Sequence, residues 1–187
     1  MAVTEIRITG FGGQGVILSG YIIGKAASIF NEQHATLTQS FGPEARGSAC
    51  SAQVIVSDDR VLYPYVTKAD ILVAMSKDGY MTHKNNLAKD GIVVYEKDLV
   101  PVEEHGAGVK NYGIPATRFA EELGRKIVLN IVMVGFLGAV SGLLPEKALR
   151  KAVETSVPSG TEELNLQAFD KGYQYGKQLV ETAEVTA

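Results

Sequence analysis

Thiol chemistry is nearly absent from this sequence: Cys50 is the one cysteine in 187 residues. A single thiol cannot close an internal disulfide, and an iron–sulfur cluster usually needs about four cysteine ligands. Histidine is also sparse. His34, His83 and His105 have no ligand spacing between them, so no bound metal is expected. Positive charge is not in excess: 18 Lys and Arg against 21 Asp and Glu leave a net charge of −3. That balance offers no basic field for nucleic-acid phosphates. The opening residues Met1 to Glu5 lack the basic start and apolar centre of a secretory signal. A soluble, cytoplasmic chain without nucleic-acid or membrane partners is the expectation.

What is present suits a single globular domain over residues 1–187. Hydrophobic residues make up 45% and charged residues 21%, close to the averages for chains that bury a core. One stretch, Ile127 to Leu144, is nearly all apolar and reaches the lower length of a membrane span. Asn130, Ser141 and three glycines interrupt it, and Leu144-Pro145-Glu146 closes it. It reads as a helix buried inside the protein or under a partner subunit. The Gly138–Gly142 spacing resembles a close-packing helix face.

Glu5 to Thr9 alternates and runs into glycines, as a strand entering a tight turn does. Apolar residues at helical spacing predict a helix over Val16 to Phe30. Strands are expected at Ala35–Thr38, Cys50–Ser57, Ala69–Met75 and Ile92–Tyr95, with a loop over Ser40–Gly47 and a helix around Asp78–Leu87. The segment from Val100 to Tyr112 reads as irregular. Helices follow at Thr117–Leu123, through the apolar stretch, at Pro145–Glu154 and at Leu166–Val180. Strands interleaved with helices predict a three-layer α/β/α sandwich with a Rossmann-like start, a mixed, mostly parallel sheet and a helical C-terminal third.

The sharpest local motif is Gly10-Phe11-Gly12-Gly13-Gln14-Gly15, set between a strand and a helix. Glycines there allow a tight turn and close approach of a ligand, while the helix start offers free N–H groups to an anion. The spacing matches a dinucleotide-binding turn. That reading also requires an acid at the end of the second strand, where the sequence has Thr36-Leu37-Thr38-Gln39-Ser40. Glu32 precedes the strand and would stand at its wrong end. A phosphate-binding P-loop fails as well, because Val16-Ile17 follows Gly15 instead of Lys-Ser/Thr. Tight strand–helix packing, a pocket for another phosphate-bearing ligand and a seat for a partner's loop stay open.

A second constellation is Gln39-Ser40-Phe41-Gly42-Pro43-Glu44-Ala45-Arg46-Gly47-Ser48. Proline and two glycines restrict a loop carrying a carboxylate and a guanidinium two residues apart, beside the glycine turn at the strand ends. Gly-x-Gly-Gly-Gln-Gly after the first strand and Gly-Pro-Glu-x-Arg-Gly after the second resemble the gamma subunits of pyruvate, 2-oxoisovalerate and 2-oxoglutarate ferredoxin oxidoreductases. The resemblance continues through Val56-Ser57-Asp58, through Ala69 to Ala74, and in Asn130 leading a glycine-rich helix closed by Leu144-Pro145. Ser48 departs from it, since a second glycine commonly follows Arg-Gly in that family.

The resemblance implies a heteromeric complex with alpha, beta and ferredoxin-like delta subunits. In it a 2-oxoacid, coenzyme A and oxidised ferredoxin become acyl-coenzyme A, carbon dioxide and reduced ferredoxin. Thiamine diphosphate, Mg and iron–sulfur clusters are then expected on the partners, with 2-oxoglutarate mildly preferred as substrate. This chain lacks a Gly-Asp-Gly followed by paired asparagines; its one Asn pair, Asn85-Asn86, follows no such element. It is expected to be inactive alone, with no catalytic residue, and to self-associate if its apolar helix faces a partner. Gly10, Gly12, Gly13, Gln14, Gly15, Glu44, Arg46 and Gly47 are the candidate residues for binding coenzyme A or closing the active site. Two other function classes compete: a stand-alone Rossmann-type NAD(P)-binding reductase, and a non-enzymatic small-anion-binding or scaffold protein.

Overall fold

In β1 (Val3–Phe11) the side chains of Ile6 and Ile8 point to one face and those of Glu5, Arg7 and Thr9 to the other, as a strand's period of two requires. Ile6 and Ile8 are fully buried and define the inner face of the sheet. The computed structural model describes residues 3–42 and 47–185. After β1 come α1 (Val16–Phe30), β2 (His34–Phe41), β3 (Ala49–Ser57), β4 (Ala69–Ala74), α2 (Lys77–His83) and β5 (Leu87–Glu96). The chain closes with β6 (Lys110–Ile114), α3 (Ala116–Glu122), α4 (Leu129–Ser141), α5 (Glu146–Glu154) and α6 (Glu162–Val185).

The six strands lie in the order β2-β3-β1-β4-β5-β6. β1, β4, β5 and β6 pair in parallel, while β3 runs antiparallel to both β1 and β2. The mixed, mostly parallel α/β sheet is thus the one expected, and β1–α1–β2 is its Rossmann-like start. One detail differs: β3 is wedged between β1 and β2. Strands stand about 4.8 Å apart, so an acid ending β2 would lie roughly twice as far from the glycine turn as in a dinucleotide-binding fold.

The inner face carries the main core. Ile22, Ile23, Ala26 and Ala27 of α1 meet Ala52, Val54 and Val56 of β3, and α4 and α6 cover the other half. The outer face is thinner. α2 and the segment after β5 bury Leu72, Ala74, Tyr80, Val93 and Val100. The Tyr80 hydroxyl accepts from the Glu103 backbone N–H and pairs with His105 Nε2, each at 3.0 Å, which ties down the irregular stretch.

α4 settles the reading of the long apolar run. Every residue from Leu129 to Gly138 is buried within this chain, so the helix is core, and the basis for self-association through it is removed. Gly142 is not half of a packing pair: it caps α4 in the left-handed region at φ 60°. The close approach to α6 is made instead at Gly135 on α4 and at Gly172 and Gly176 on α6, while Gly138 makes room for Leu149 of α5. A Cβ on Gly172 would stand 2.0 Å from the Val132 carbonyl oxygen, and one on Gly135 2.2 Å from that of Phe169. No helix among the described residues is long and apolar enough to cross a membrane.

Other boundaries moved. The helix expected over 78–87 stops at His83, and after one tight turn Leu87 begins a ten-residue β5. The region taken as irregular contains β6 at its end.

Candidate functional site

The glycine turn leaves the C-terminal end of β1 and enters α1 through Gly15, whose φ of 75° lies in the left-handed region. An L side chain there is strained, and a Cβ would also meet Asn130 Cγ at 2.5 Å. Asn130, 3% exposed at the start of α4, donates to the Gly15 carbonyl at 3.4 Å. Gly10 is fixed by space alone, because a Cβ would lie 2.6 Å from Gln14 Oε1.

The side chain of Gln14, one of the candidate residues, is engaged within the chain. Its Oε1 accepts from the Phe11 backbone N–H at 2.7 Å and its Nε2 donates to the Met75 carbonyl at 3.0 Å. The side chain brackets the turn to the end of β4. α1 then begins with no side-chain cap and no acid in its first turn, so its leading N–H groups and partial positive charge are free for an anion.

The two predicted loops do come together. The Gly12 N–H donates to the Ser48 carbonyl at 2.9 Å, and the Gly47 N–H to the Gly12 carbonyl at 3.4 Å. Both loops stand at the C-terminal ends of β1 and β2, where open α/β sheets place ligands. Glu44 and Arg46, the charged pair of the second loop, lie outside the described residues. Gly47 is described, and joins Gly12 as stated.

Beside the turn is a cavity of about 650 Å³. Gly12, Gly13 and Gly15 form one wall, Phe41 stands at another, and Val157 and Leu164 close the far side. The lining is mainly apolar, with the α1 start, Asn130, Thr161 and Asn165 as polar points. Arg125 and Ile127 border it from the α3–α4 connection, Ile127 being 72% exposed. Arg125 makes no ion pair among the described residues. Cys50 also lines the cavity, and burial pushes its thiol pKa up, so it stays protonated and unreactive.

Sequence reasoning missed Arg125, Ile127, Val157 and Leu164, which belong to no local motif and converge only through the packing of α4 and α6. It also missed Glu96, fully buried at the end of β5. Glu96 accepts from the N–H groups of Asp98 (3.0 Å), Leu99 (2.7 Å) and Thr117 (3.3 Å), a structural role that joins β5 to α3. Among the described residues, no three His, Cys, Asp or Glu side chains gather as a metal site requires.

Comparison with known proteins gives this geometry its relatives. Residues 5–175 match the family model described as pyruvate ferredoxin/flavodoxin oxidoreductase. The chain is 45% identical to the 2-oxoglutarate synthase subunit KorC of Methanocaldococcus jannaschii, across 94% of this chain and 95% of that one. It is 47% identical to the subunit of the same name from Methanothermobacter thermautotrophicus, across 94% of each. Among solved structures, the keto/oxoacid ferredoxin oxidoreductase gamma subunit of Geobacter sulfurreducens superposes with a TM-score of 0.81 at 35% identity. That match covers 92% of this chain and 98% of the other.

Proposed function

Because this chain belongs to the pyruvate ferredoxin/flavodoxin oxidoreductase family, we propose that its glycine turn and the cavity beside it receive coenzyme A and close the reaction chamber of a 2-oxoglutarate:ferredoxin oxidoreductase. The chain is a gamma subunit of a 2-oxoacid:ferredoxin oxidoreductase, part of an enzyme complex. The finer assignment rests on one observation. The uncapped start of α1 opens, together with the glycine turn, into a cavity of about 650 Å³ bordered by Arg125, which makes no ion pair among the described residues.

Coenzyme A combines a phosphate-rich end with a long, largely uncharged arm. Free N–H groups at a helix start suit the first, and Val16, Ile17, Val157 and Leu164 suit the second. Arg125 and Arg46 would each pair a phosphate bidentately. Such contacts position a substrate without covalent chemistry. The preference for 2-oxoglutarate is supported by the names of the two methanogen relatives. Thiamine diphosphate, Mg and iron–sulfur clusters fall to alpha, beta and delta partners, one cysteine being too few for a cluster.

The test uses the reconstituted complex. Arg125→Ala and Arg46→Ala should each raise KM for coenzyme A by about tenfold or more, the loss of a hydrogen bond to a charged group, and leave KM for 2-oxoglutarate unchanged. Unaltered coenzyme A kinetics in both variants would remove the assignment.

A further inference from the structure

On the outer face of the sheet, polar side chains stand in two rows where a covered sheet would place apolar ones. The strand register sets Thr9, Ser51 and Ser40 side by side, and Arg7, Gln53 and Thr38 in the next row. α2 walls this floor on one side. Its Gly79 comes so close that a Cβ would stand 2.3 Å from Thr9 Oγ1, and its Thr82 and His83 border the opening. The result is a cavity of about 370 Å³ on the outer face, which meets the larger one at the sheet's edge, where Phe41 and Cys50 line both.

Arg7 is the feature that needs explaining. It is partly buried, and that burial pulls its pKa down from the ordinary arginine value. Its Nη2 donates to the Val66 carbonyl at 2.9 Å and to Gln53 Oε1 at 3.4 Å, both neutral acceptors. Its Nε is buried with no acceptor. Arg118 and Arg150 have carboxylate partners, whereas Arg7 makes no ion pair among the described residues. Glu5, the other charged group on this face of β1, accepts from the backbone N–H groups of Thr67 (2.6 Å) and Lys68 (3.1 Å), and its charge offsets only part of the burial effect on Arg7 without making an ion pair with it. A guanidinium drawn out of water normally has an anion against it.

We infer that this cavity is a second binding site, for a small oxyanion such as a carboxylate or phosphate group. Arg7 supplies the charge, Thr9, Ser51 and Gln53 the neutral hydrogen bonds, and Thr82 and His83 the rim. The neighbouring imidazole fits the same picture. Burial first, and then the Arg7 charge, hold the His83 pKa down to about 4, so an anion seated against Arg7 would let that pKa rise. β3 adds only neutral side chains to this face and β2 adds His34 at its far end, while Asp70 of β4 stands beside Glu5 and accepts from the Glu5 backbone N–H at 2.7 Å, so Arg7, Glu5, Asp70 and His34 are the titratable groups these strands present here. The site is independent of the coenzyme A assignment, which concerns the inner face.

The experiment is an NMR titration of the isotopically labelled full chain, once with inorganic phosphate and once with glutarate, which has carboxylates but no oxo group to react. The amide signals of Thr9, Ser51 and Gln53 should shift saturably, with the His83 imidazole pKa moving up from about 4. Response to phosphate alone identifies a tetrahedral ligand, and response to glutarate alone or to both identifies a carboxylate-accepting site. Arg7→Gln should weaken binding by about tenfold or more. Thr82→Glu, on the exposed side of α2, should do so without touching the sheet, by putting a fixed carboxylate at the rim. No shift with either anion, or undiminished binding in the Thr82→Glu protein, would overturn the inference.

Discussion

Replacing Gly15 by alanine tests how the glycine turn is held, because two separate effects meet at that one Cβ. The first is backbone strain: φ is 75°, and an L residue in that region costs about 1–2 kcal/mol. The second is steric. The added methyl would stand 2.5 Å from Asn130 Cγ and Nδ2 and 2.9 Å from Asn130 Cβ, well inside van der Waals contact. Overpacking of this kind costs about 1–3 kcal/mol. Together they predict a loss of roughly 2–5 kcal/mol for Gly15→Ala.

A partner substitution separates the two. Asn130→Ala removes Cγ and Nδ2 and with them a long hydrogen bond of 3.4 Å, at a cost of about 0.5–1 kcal/mol. In the double variant the backbone strain stays, while most of the clash is gone. The double variant should therefore be more stable than the sum of the singles implies, by about 1–2 kcal/mol. Urea unfolding of the four proteins, followed by circular dichroism with a common slope, reads this coupling directly. If the effects add within about 0.5 kcal/mol, the contact between the turn and α4 does not exist as described.

Four other outcomes follow from the same structure. Gly172→Ala drives a methyl onto the Val132 carbonyl oxygen and should lower the melting temperature by roughly 5–10 °C, taking about 3 kcal/mol of overpacking in a domain of this size. Gly106→Ala, with no heavy atom within 4 Å of its Cβ, should melt like the parent in the same scan. Gln14→Leu strands the Phe11 N–H and the Met75 carbonyl; a loss of about 1–3 kcal/mol in chemical unfolding is expected, with a parent-like midpoint refuting the bracket. His83 has a folded pKa of about 4, below its ordinary 6.5, so the unfolded chain binds the proton first and stability should fall as pH drops from 6.5 towards 4. His83→Gln should flatten that part of a stability-versus-pH curve.

The parts of the fold legible in the sequence are those with a local period. Glu5 to Thr9 alternates, Val16 to Phe30 repeats at helical spacing, and both became the elements they resembled. The wedge of β3 between β1 and β2 was not legible, because no local pattern states which strands pair. β6, Lys110 to Ile114, has only Ile114 fully buried; as an edge strand it lacks the apolar run that marks an interior one. α4 is apolar all round, so its own residues give no face to point inward. What makes it core is Gly172 and Gly176, forty residues away on α6. The site divides the same way. The glycines announce themselves, while Arg125, Ile127 and Leu164 line the cavity only because α4 and α6 bring distant segments together. Arg7 reads as the ordinary polar member of an alternating strand, and only the lack of a carboxylate in ion-pair contact among the described residues sets it apart.

α4 joins the two levels of this structure. Asn130 in its first turn rests on Gly15, while its body is clamped by α6 through backbone-to-backbone contacts at Gly135 and Gly172. A change in the α4–α6 crossing must therefore reach the glycine turn, since a packed core shifts as a unit instead of yielding locally. The turn is further fixed by Gln14 to Met75 just after β4 and by Gly12 to Ser48 beside β3. Held from three sides, the turn itself is built before any ligand arrives, which lowers the ordering cost of binding there. That is the property a subunit needs if its task is to complete a neighbour's chamber: a rigid wall carrying free N–H groups.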